Sequence, residues 1–587
     1  MAANPDREES ASFEKNGVNV VASPYEGTDA SVASAKADMN LFDRFVDSFR
    51  RFDETELDLD PNLTDIEKAA IITAQSPLSR SLKSRHLQMI AIGGAIGTGL
   101  FIGSGKVLAN GGPASVLIAY ALIGVMIFCM VHALGELAIC FPVSGAFVTY
   151  NVRFIDPSWG FAMAWNYAMQ WLVILPLELV AAAITIQFWD DRTNPAAFCA
   201  AFYVLIIAIN LFGVKGYGEA EFIFSALKIL AVIGFIILGI VLVCGGGPRG
   251  GYIGGKYWSN PGAFNNGFKG LCAVFVTAAF AFLGTELAGL AAAETKNPRK
   301  SLPRATKQVF WRITLFYIVS LVVVGLLVPY NNEDLKKSDG TARYSPFVIA
   351  IEAAGIGGLP SVMNAVIIIA VLSVGNSSVF GSSRTLCALA AADMAPKIFG
   401  YIDKKGRPIF GIALSAVFGL LCFISASDKQ GEAFDWMLAI SALSAVFTWA
   451  SICLCHLRFR YALRYNGRGT DELAFTSLAG VTGSVFGLTL NILVLAAQFW
   501  IALFPLGEKP SAEGFFKAYL SFPIVIIFYV FHKIWKRNWR LYIPIDEVDI
   551  DTGRREMDLE ALKQEIAEEK AWLASKPLYY RVYNIFC

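Results

Sequence analysis

Hydrophobic positions in this chain gather into long stretches that carry almost no charge, and short polar connections separate them. A transmembrane helix needs about 20 predominantly apolar residues, and about twelve stretches meet that criterion. We number them segments 1 to 12 in chain order. They span roughly 88–109, 114–140, 160–189, 197–213, 220–244, 268–293, 308–329, 360–391, 408–425, 434–455, 477–504 and 516–536. The pattern therefore predicts an all-α membrane protein with twelve transmembrane helices.

Basic residues are distributed asymmetrically between the connections. Roughly 22 lysines and arginines fall in one set of alternating loops and roughly 9 in the other, and cytoplasmic loops carry such an excess. This asymmetry predicts that both termini are cytoplasmic, which agrees with an even number of helices. The chain then divides into a cytoplasmic tail over 1–76, a twelve-helix membrane domain over 77–536 and a second cytoplasmic tail over 537–587.

The composition excludes several classes of protein. Of the 587 residues, 55% are hydrophobic and 17% are charged, and the net charge of +1 gives no reason to expect a nucleic acid partner. The ten cysteines form no CxxC pair, which argues against a disulfide framework or a zinc site. We find no Ser/His/Asp set, no HExxH and no P-loop, so we predict neither an enzyme nor an ATP-driven pump, and no cofactor or metal ion.

Segment 1 is unusually rich in glycine. Gly93, Gly94, Gly97 and Gly99 fall within seven positions, enough to interrupt a helix in the middle of the membrane. Unwound backbone is tolerated there only around a cavity, where a polar ligand satisfies it. The amides that begin the second half-helix, at Thr98 and Gly99, carry the positive end of a dipole and suit a carboxylate. The alternative is that these glycines only allow close helix packing.

Segment 6 contains a second interruption, from Phe280 to Glu286, which also includes a Gly-Thr pair. Paired broken helices in corresponding repeats indicate a transporter site. Free carbonyls around Ala95, Phe280 and Leu283 would receive an ammonium group. A site that binds a carboxylate and an ammonium together is suited to a free α-amino acid.

The side chain of such a substrate needs a pocket from neighbouring segments. Phe280 is the predicted aromatic lid, although simple packing is an alternative. Ser441 and Ser444 in segment 10 are small and are predicted to line the pocket with Gly97. No additional carboxylate or arginine stands out there, which favours a broad or neutral substrate range.

Several motifs along the chain are distinctive. They are Arg85 to Gly103, Gly135-Glu136-Leu137, Asn166-Tyr167 to Glu178, Phe280 to Glu286, Glu294 to Pro298, Gly375 to Ser378, His456 to Arg460 and the terminal Tyr583 to Cys587. These motifs resemble those of the fungal amino acid permeases, within the amino acid–polyamine–organocation superfamily, and general amino acid permeases above all. The resemblance covers roughly residues 77–587. It implies a five-plus-five inverted repeat with two further helices, proton-coupled uptake and a plasma-membrane location.

Four ionisable residues lie deep in the predicted segments, and such residues are functional candidates because an unpaired charge in a bilayer is costly. They are Glu136, Glu178, Lys228 and Glu286. Glu178 and Glu286 compete for the coupled proton, and the sequence does not rank them. Glu136 is either a third candidate or an anchor for helix packing.

Lys228 has a more specific predicted role. The resemblance to proton-coupled relatives implies that its ammonium replaces the cation that bridges segment 1 to segment 8 in sodium-coupled relatives. It would contact carbonyls near Gly93 and Gly94 and the polar face formed by Ser373, Asn376 and Ser377. Lysine releases its proton readily when it is buried. The alternative is a permanently charged strut.

The tails carry predicted regulatory sites. Lys15 and Lys36 suit ubiquitin attachment, which the resemblance implies, and Cys587 resembles a terminal cysteine that is lipid-modified in relatives. The predicted partners are an amino acid, a proton, membrane lipids, and the trafficking and ubiquitin machinery. Two alternatives remain, namely a permease of narrower range for neutral or basic amino acids, and an amino-acid-sensing receptor with the same fold.

Overall fold

A computed structural model describes residue 43 and residues 46–51, 78–79, 81–94, 96–143, 145–190, 192–295, 298–336, 345–427, 430–507, 509–554, 559–578 and 580–581. Helices coincide with all twelve apolar segments. Segments 3, 4, 5 and 8 form the helices Pro157–Ile186, Pro195–Leu211, Gly213–Val243 and Leu359–Ala391. Segments 9 to 12 form Ile409–Gly419 with Leu420–Ala426, then Gln430–Tyr465, Gly480–Leu503, and Ala512–Tyr519 with Ser521–Lys536.

Segments 1, 2, 6 and 7 are divided differently from the prediction. Segment 1 begins as Ser84–Gly93 and resumes as Thr98–Phe101, after which one long helix, Gly103–Cys140, carries its end together with all of segment 2. That helix is kinked at Gly112, which has φ 76° and ψ 169°. Segment 6 forms Gly267–Ala281, Leu287–Leu290 and Ala291–Glu294, and segment 7 forms Pro298–Trp311, Arg312–Val319 and Ser320–Leu327.

Within the described residues, eight helices are long and apolar enough to cross a membrane. A ninth is added if the pair Ala512–Tyr519 and Ser521–Lys536, which is bent by 67°, is one span. Pro195–Leu211 and Gly267–Ala281 are apolar but shorter. The chain is therefore a multi-pass membrane protein. The number of twelve spans stays a prediction, because segments 1 and 6 are interrupted and segment 4 forms a helix of only 17 residues, below the length of about 20 that a span needs.

The helices form a buried centre and an exposed apolar periphery. Trp171 on Pro157–Ile186 is 1% exposed, and its ring lies against Gly381 on Leu359–Ala391. By contrast, Gly213–Val243 exposes large side chains such as Leu230 and Ile237, which are 68% and 61% accessible. Large apolar side chains exposed together in this way mark a membrane or protein contact. We therefore infer that Pro157–Ile186 and Leu359–Ala391 lie at the centre and that the outer helices face lipid.

Candidate functional site

The interruption in segment 1 separates two half-helices. The first ends at Gly93 and the second begins at Thr98, with Gly97 between them in an extended conformation of φ −157° and ψ −144°. Ala95, a predicted ligand of the ammonium group, lies outside the described residues, and so do Lys15, Lys36 and Cys587. Their roles stay predictions.

The interruption in segment 6 runs from Phe282 to Glu286. Gly284 has a φ of 90° there, in the left-handed region that favours glycine. The Phe280 carbonyl accepts a hydrogen bond from the Leu283 amide at 3.1 Å, which uses one of its two lone pairs. One lone pair of the Phe280 carbonyl is therefore left for a ligand.

The two interruptions pack directly against each other. A Cβ atom added to Gly99 would lie 2.4 Å from the Cα of Ala281, so only glycine permits this approach. The other glycines of segment 1 are equally close to different helices, because a Cβ on Gly93 would meet Ser225 at 2.3 Å and one on Gly97 would meet Val374 at 2.4 Å. Close packing and helix interruption are therefore not alternatives here, since the same glycines serve both.

We expect Gly99→Ala to reduce uptake of the transported substrate by at least about tenfold, because backbone must shift to admit the methyl group and overpacking typically costs about 1–3 kcal/mol. Gly234→Ala is the matched control, since a Cβ there meets nothing within 4 Å. Initial uptake rates, normalised to the amount of protein at the membrane, test this expectation. Equal rates for the two variants would contradict it.

Lys228 lies where the sequence predicts. Its ammonium, fully buried, donates to the Gly93 carbonyl at 2.6 Å and to the Ser373 hydroxyl at 2.8 Å. Among the described residues the lysine bonds to the carbonyl of Gly93 and not to that of Gly94. The Gly94 amide donates to the Ile90 carbonyl at 3.0 Å and closes the first half-helix. Lys228 therefore bridges the end of that half-helix to segment 8.

The other two predicted partners of Lys228 on segment 8 bond elsewhere. Asn376 accepts from Asn210 at 2.9 Å, and the Ser377 hydroxyl lies 3.1 Å from that of Tyr217. All three positions share one face of the helix, but the face is wide and meets segments 4 and 5 as well. We therefore correct the predicted contact set on segment 8 to Ser373.

Glu221 completes the Lys228 cluster and is absent from the sequence prediction. Its carboxylate lies 3.5 Å from the Lys228 ammonium and accepts from the Ser373 hydroxyl at 2.6 Å and the Ser225 hydroxyl at 3.3 Å. The spacing of Glu221, Ser225 and Lys228 places them on one helix face. This spacing is the sequence signal from which Glu221 could have been predicted as a partner of Lys228. Its place in the first turn of the predicted segment kept it out of the set of deeply buried residues.

Glu178 is bonded to the start of the second half-helix. It accepts a hydrogen bond from the Thr98 hydroxyl, and its other oxygen, buried, has no hydrogen-bond partner among the described residues. The Glu178 carboxylate therefore contacts Thr98, the residue whose backbone amide is predicted to bind the substrate carboxylate.

Glu286 belongs to a different cluster. It accepts from the Tyr167 hydroxyl at 3.3 Å and from the Trp449 indole at 3.2 Å, and it is fully buried. It thus joins segments 3, 6 and 10 rather than facing Thr98.

Glu136 lies in a third cluster, with contacts typical of a packing anchor. It pairs with Arg460 at 2.6 Å and His456 at 3.1 Å, and it accepts from the Ser477 amide at 2.7 Å. These partners tie segment 2 to the helix of segment 10 and to the start of segment 11, and the structure does not bring them to the interruptions.

A cavity opens at the point where the two interruptions meet. Thr98, Gly99 and Phe280 line it, and its mouth carries Lys106 and Asp435, whose charges lie 3.6 Å apart. The remaining lining residues are Ile102, Gly103, Thr277, Phe434 and Leu438. Among the described residues, no group of three His, Cys, Asp or Glu side chains is placed to hold a metal ion.

Two predicted pocket residues bond away from this cavity. Ser441 donates to the Met437 carbonyl of its own helix at 2.8 Å, and Ser444 donates to Ser521 of segment 12 at 3.2 Å. Segment 10 contributes Phe434, Asp435 and Leu438 instead. Leu283 is buried and Gly97 packs on Val374, and neither lines the cavity.

The sequence matches the amino acid permease family over residues 86–545. It is 68% identical over 548 residues to the general amino-acid permease GAP2 of Candida albicans, across 93% of each chain. It is 61% identical to the general amino-acid permease GAP1 of Saccharomyces cerevisiae, across 92% of this chain and 91% of that one. The histidine permease of S. cerevisiae is 49% identical, with 92% and 89% covered. These matches confirm the resemblance, and the chain belongs to the amino acid permease family.

Proposed function

We propose that this protein is a proton-coupled symporter that imports amino acids across the plasma membrane, with a broad substrate range. The observation that carries the proposal is the cavity at the junction of the two interruptions, lined by Thr98, Gly99 and Phe280. The names of the relatives support it as well, since two are general amino-acid permeases. In this proposal the chain has twelve spans in a five-plus-five inverted repeat, and both termini are cytoplasmic.

The substrate backbone is recognised by groups that the interruptions expose. The first amides of a helix have no partner within the helix and form the positive end of its dipole. We therefore assign the substrate carboxylate to the amides of Thr98 and Gly99, and the ammonium to the carbonyls of Phe280 and, as the sequence predicts, Ala95. Phe280 covers the ligand. Recognition of the backbone alone accounts for a broad range.

The coupled proton is carried by buried groups beside these half-helices. Lys228 supplies the cation that bridges Gly93 to Ser373. Of the two competing carboxylates, Glu178 is the stronger candidate, because it bonds to Thr98 beside the substrate carboxylate. Its protonation would then respond directly to whether the site is occupied.

Uptake into proteoliposomes tests the proposal. The full chain is reconstituted, an inside-alkaline pH gradient is imposed, and labelled neutral, basic and acidic amino acids are supplied one at a time. We expect accumulation of many of them, and we expect a protonophore to abolish it. Protein-free liposomes are the control.

Three other outcomes would contradict parts of the proposal. Uptake that ignores the gradient would refute proton coupling. Uptake of one class alone would establish a narrower permease, as the name of the histidine permease illustrates for a relative. Saturable binding without uptake would indicate a receptor.

A further inference from the structure

Segment 7 contacts the first half-helix of segment 1 and the interruption of segment 6, and Arg312 makes both contacts. Arg312 begins the π-helical stretch Arg312–Val319, and such local widening of a helix is frequent at functional sites. Its guanidinium donates to the Ala91 carbonyl at 2.7 Å and to the Thr285 hydroxyl at 2.6 Å. One side chain thus links the first half-helix of segment 1 to the interruption of segment 6.

The environment of Arg312 is unusual for a charged residue. The side chain is 0% exposed, and within the described part of the chain no carboxylate forms an ion pair with it. Its charge is balanced by the end of the first half-helix, where unpaired carbonyls form the negative end of the dipole. Lys228 binds the same end through the Gly93 carbonyl at 2.6 Å, so two buried cations hold this helix terminus.

The contacts of Thr285 and Tyr317 extend the bridge. Thr285 passes the hydrogen bond on to the Phe282 carbonyl at 2.5 Å, inside the interruption that begins beside Phe280. From the next turns of segment 7, the Tyr317 hydroxyl donates to the Ala281 carbonyl at 2.7 Å. A continuous chain of hydrogen bonds therefore joins the segment 6 interruption to Ala91 through Thr285 and Arg312.

We infer that Arg312 is a positioning residue that couples closure of the segment 6 interruption over the substrate to movement of the cytoplasmic half of segment 1. This inference rests on the proposed transport function. Among the described residues, the hydrogen bonds of Arg312 go to Ala91 and Thr285, which neither line the cavity nor belong to the predicted ligands. A guanidinium presents its donors on separate nitrogens in a fixed fork, and here one terminal nitrogen bonds to Ala91 and the other to Thr285. A lysine ammonium is a single nitrogen and cannot occupy both of these positions. The geometry therefore explains why arginine occupies this position.

Arg312→Lys and Thr285→Val test the inference, because each breaks the bridge while preserving charge or shape. We expect each to lower the maximal uptake rate about 10- to 100-fold, as expected for the loss of a hydrogen bond to a charged group. The KM should stay within about twofold, since the ligand contacts remain. The double variant should be no slower than Arg312→Lys alone, because both changes remove one bridge. Matched controls are Arg304→Lys and Thr489→Val, both at exposed positions.

A labelling measurement separates coupling from a merely structural role. In a Ser84→Cys background, at the start of the first half-helix, maleimide labelling should change when a transported amino acid is added. The change should disappear in Arg312→Lys and in Thr285→Val. Labelling that still responds, an unchanged maximal rate, or additive losses in the double variant would overturn the inference. If Arg312→Lys fails to reach the membrane, Thr285→Val decides alone.

Failure of the inference and failure of the proposed function are distinguishable. If the parent protein neither transports amino acids nor changes its labelling, the proposed function has failed. If the parent responds and the variants respond equally, only the role of Arg312 is refuted.

Discussion

Lys228→Met is expected to lower amino acid uptake by at least about 100-fold. The substitution removes the bond to the Gly93 carbonyl and the bond to Ser373, and it leaves the fully buried carboxylate of Glu221 without its cation. Removing one partner of a buried ion pair typically costs about 3–5 kcal/mol. Uptake of a labelled amino acid, normalised to protein at the membrane, measures the loss. Lys256→Met, at an exposed lysine, is the control.

The double variant Lys228→Met with Glu221→Gln separates two roles of the lysine. Neutralising both partners removes the uncompensated charge, so the double variant should regain the membrane expression that the single variant loses. If Lys228 carries charge during transport, uptake stays low. If the lysine only compensates the buried charge of Glu221, uptake returns together with expression. Full uptake by the single variant would contradict both roles.

The positions of the helices could be predicted well from the sequence, because a bilayer demands long apolar stretches. The number of spans could not be confirmed in the same way. Segment 6 is interrupted after Ala281, and segment 12 is bent after Tyr519, so no single helix in either reaches the required length. Local glycine and turn residues therefore limit what apolar length alone predicts.

The main contact of Lys228 was predictable because the resemblance to proton-coupled relatives implied it. The Gly93 carbonyl ends a helix, and Lys228 binds there. Contacts that depend on how a helix is rotated were not predictable. Ser444 faces segment 12 rather than the cavity, and nothing in the local sequence distinguishes these directions. Arg312 was not predicted as a site residue. It lies in the second turn of its predicted segment, close to the loop, where a basic residue is not unusual.

Glu178→Gln should abolish accumulation against a gradient while the variant still exchanges internal for external amino acid. Glutamine keeps an oxygen that can accept from Thr98, but it cannot take up a proton. A pH difference of one unit corresponds to about 1.36 kcal/mol, which supports at most about tenfold accumulation for one proton per substrate. The variant should reach a ratio of about one. Steady-state accumulation and counterflow exchange in the same vesicles measure the two properties.

Glu286→Gln is the matched comparison that decides between the two carboxylates. Tyr167 donates to one carboxylate oxygen of Glu286 and Trp449 donates to the other. A glutamine side chain has only one oxygen, so it keeps only one of these two hydrogen bonds. We therefore expect slower transport in this variant, with accumulation still driven by the pH gradient. The proton belongs to Glu286 if this variant exchanges without accumulating while Glu178→Gln still accumulates. If both variants accumulate like the parent, neither carboxylate carries the proton, and the Lys228–Glu221 pair becomes the remaining buried carrier next to the half-helix.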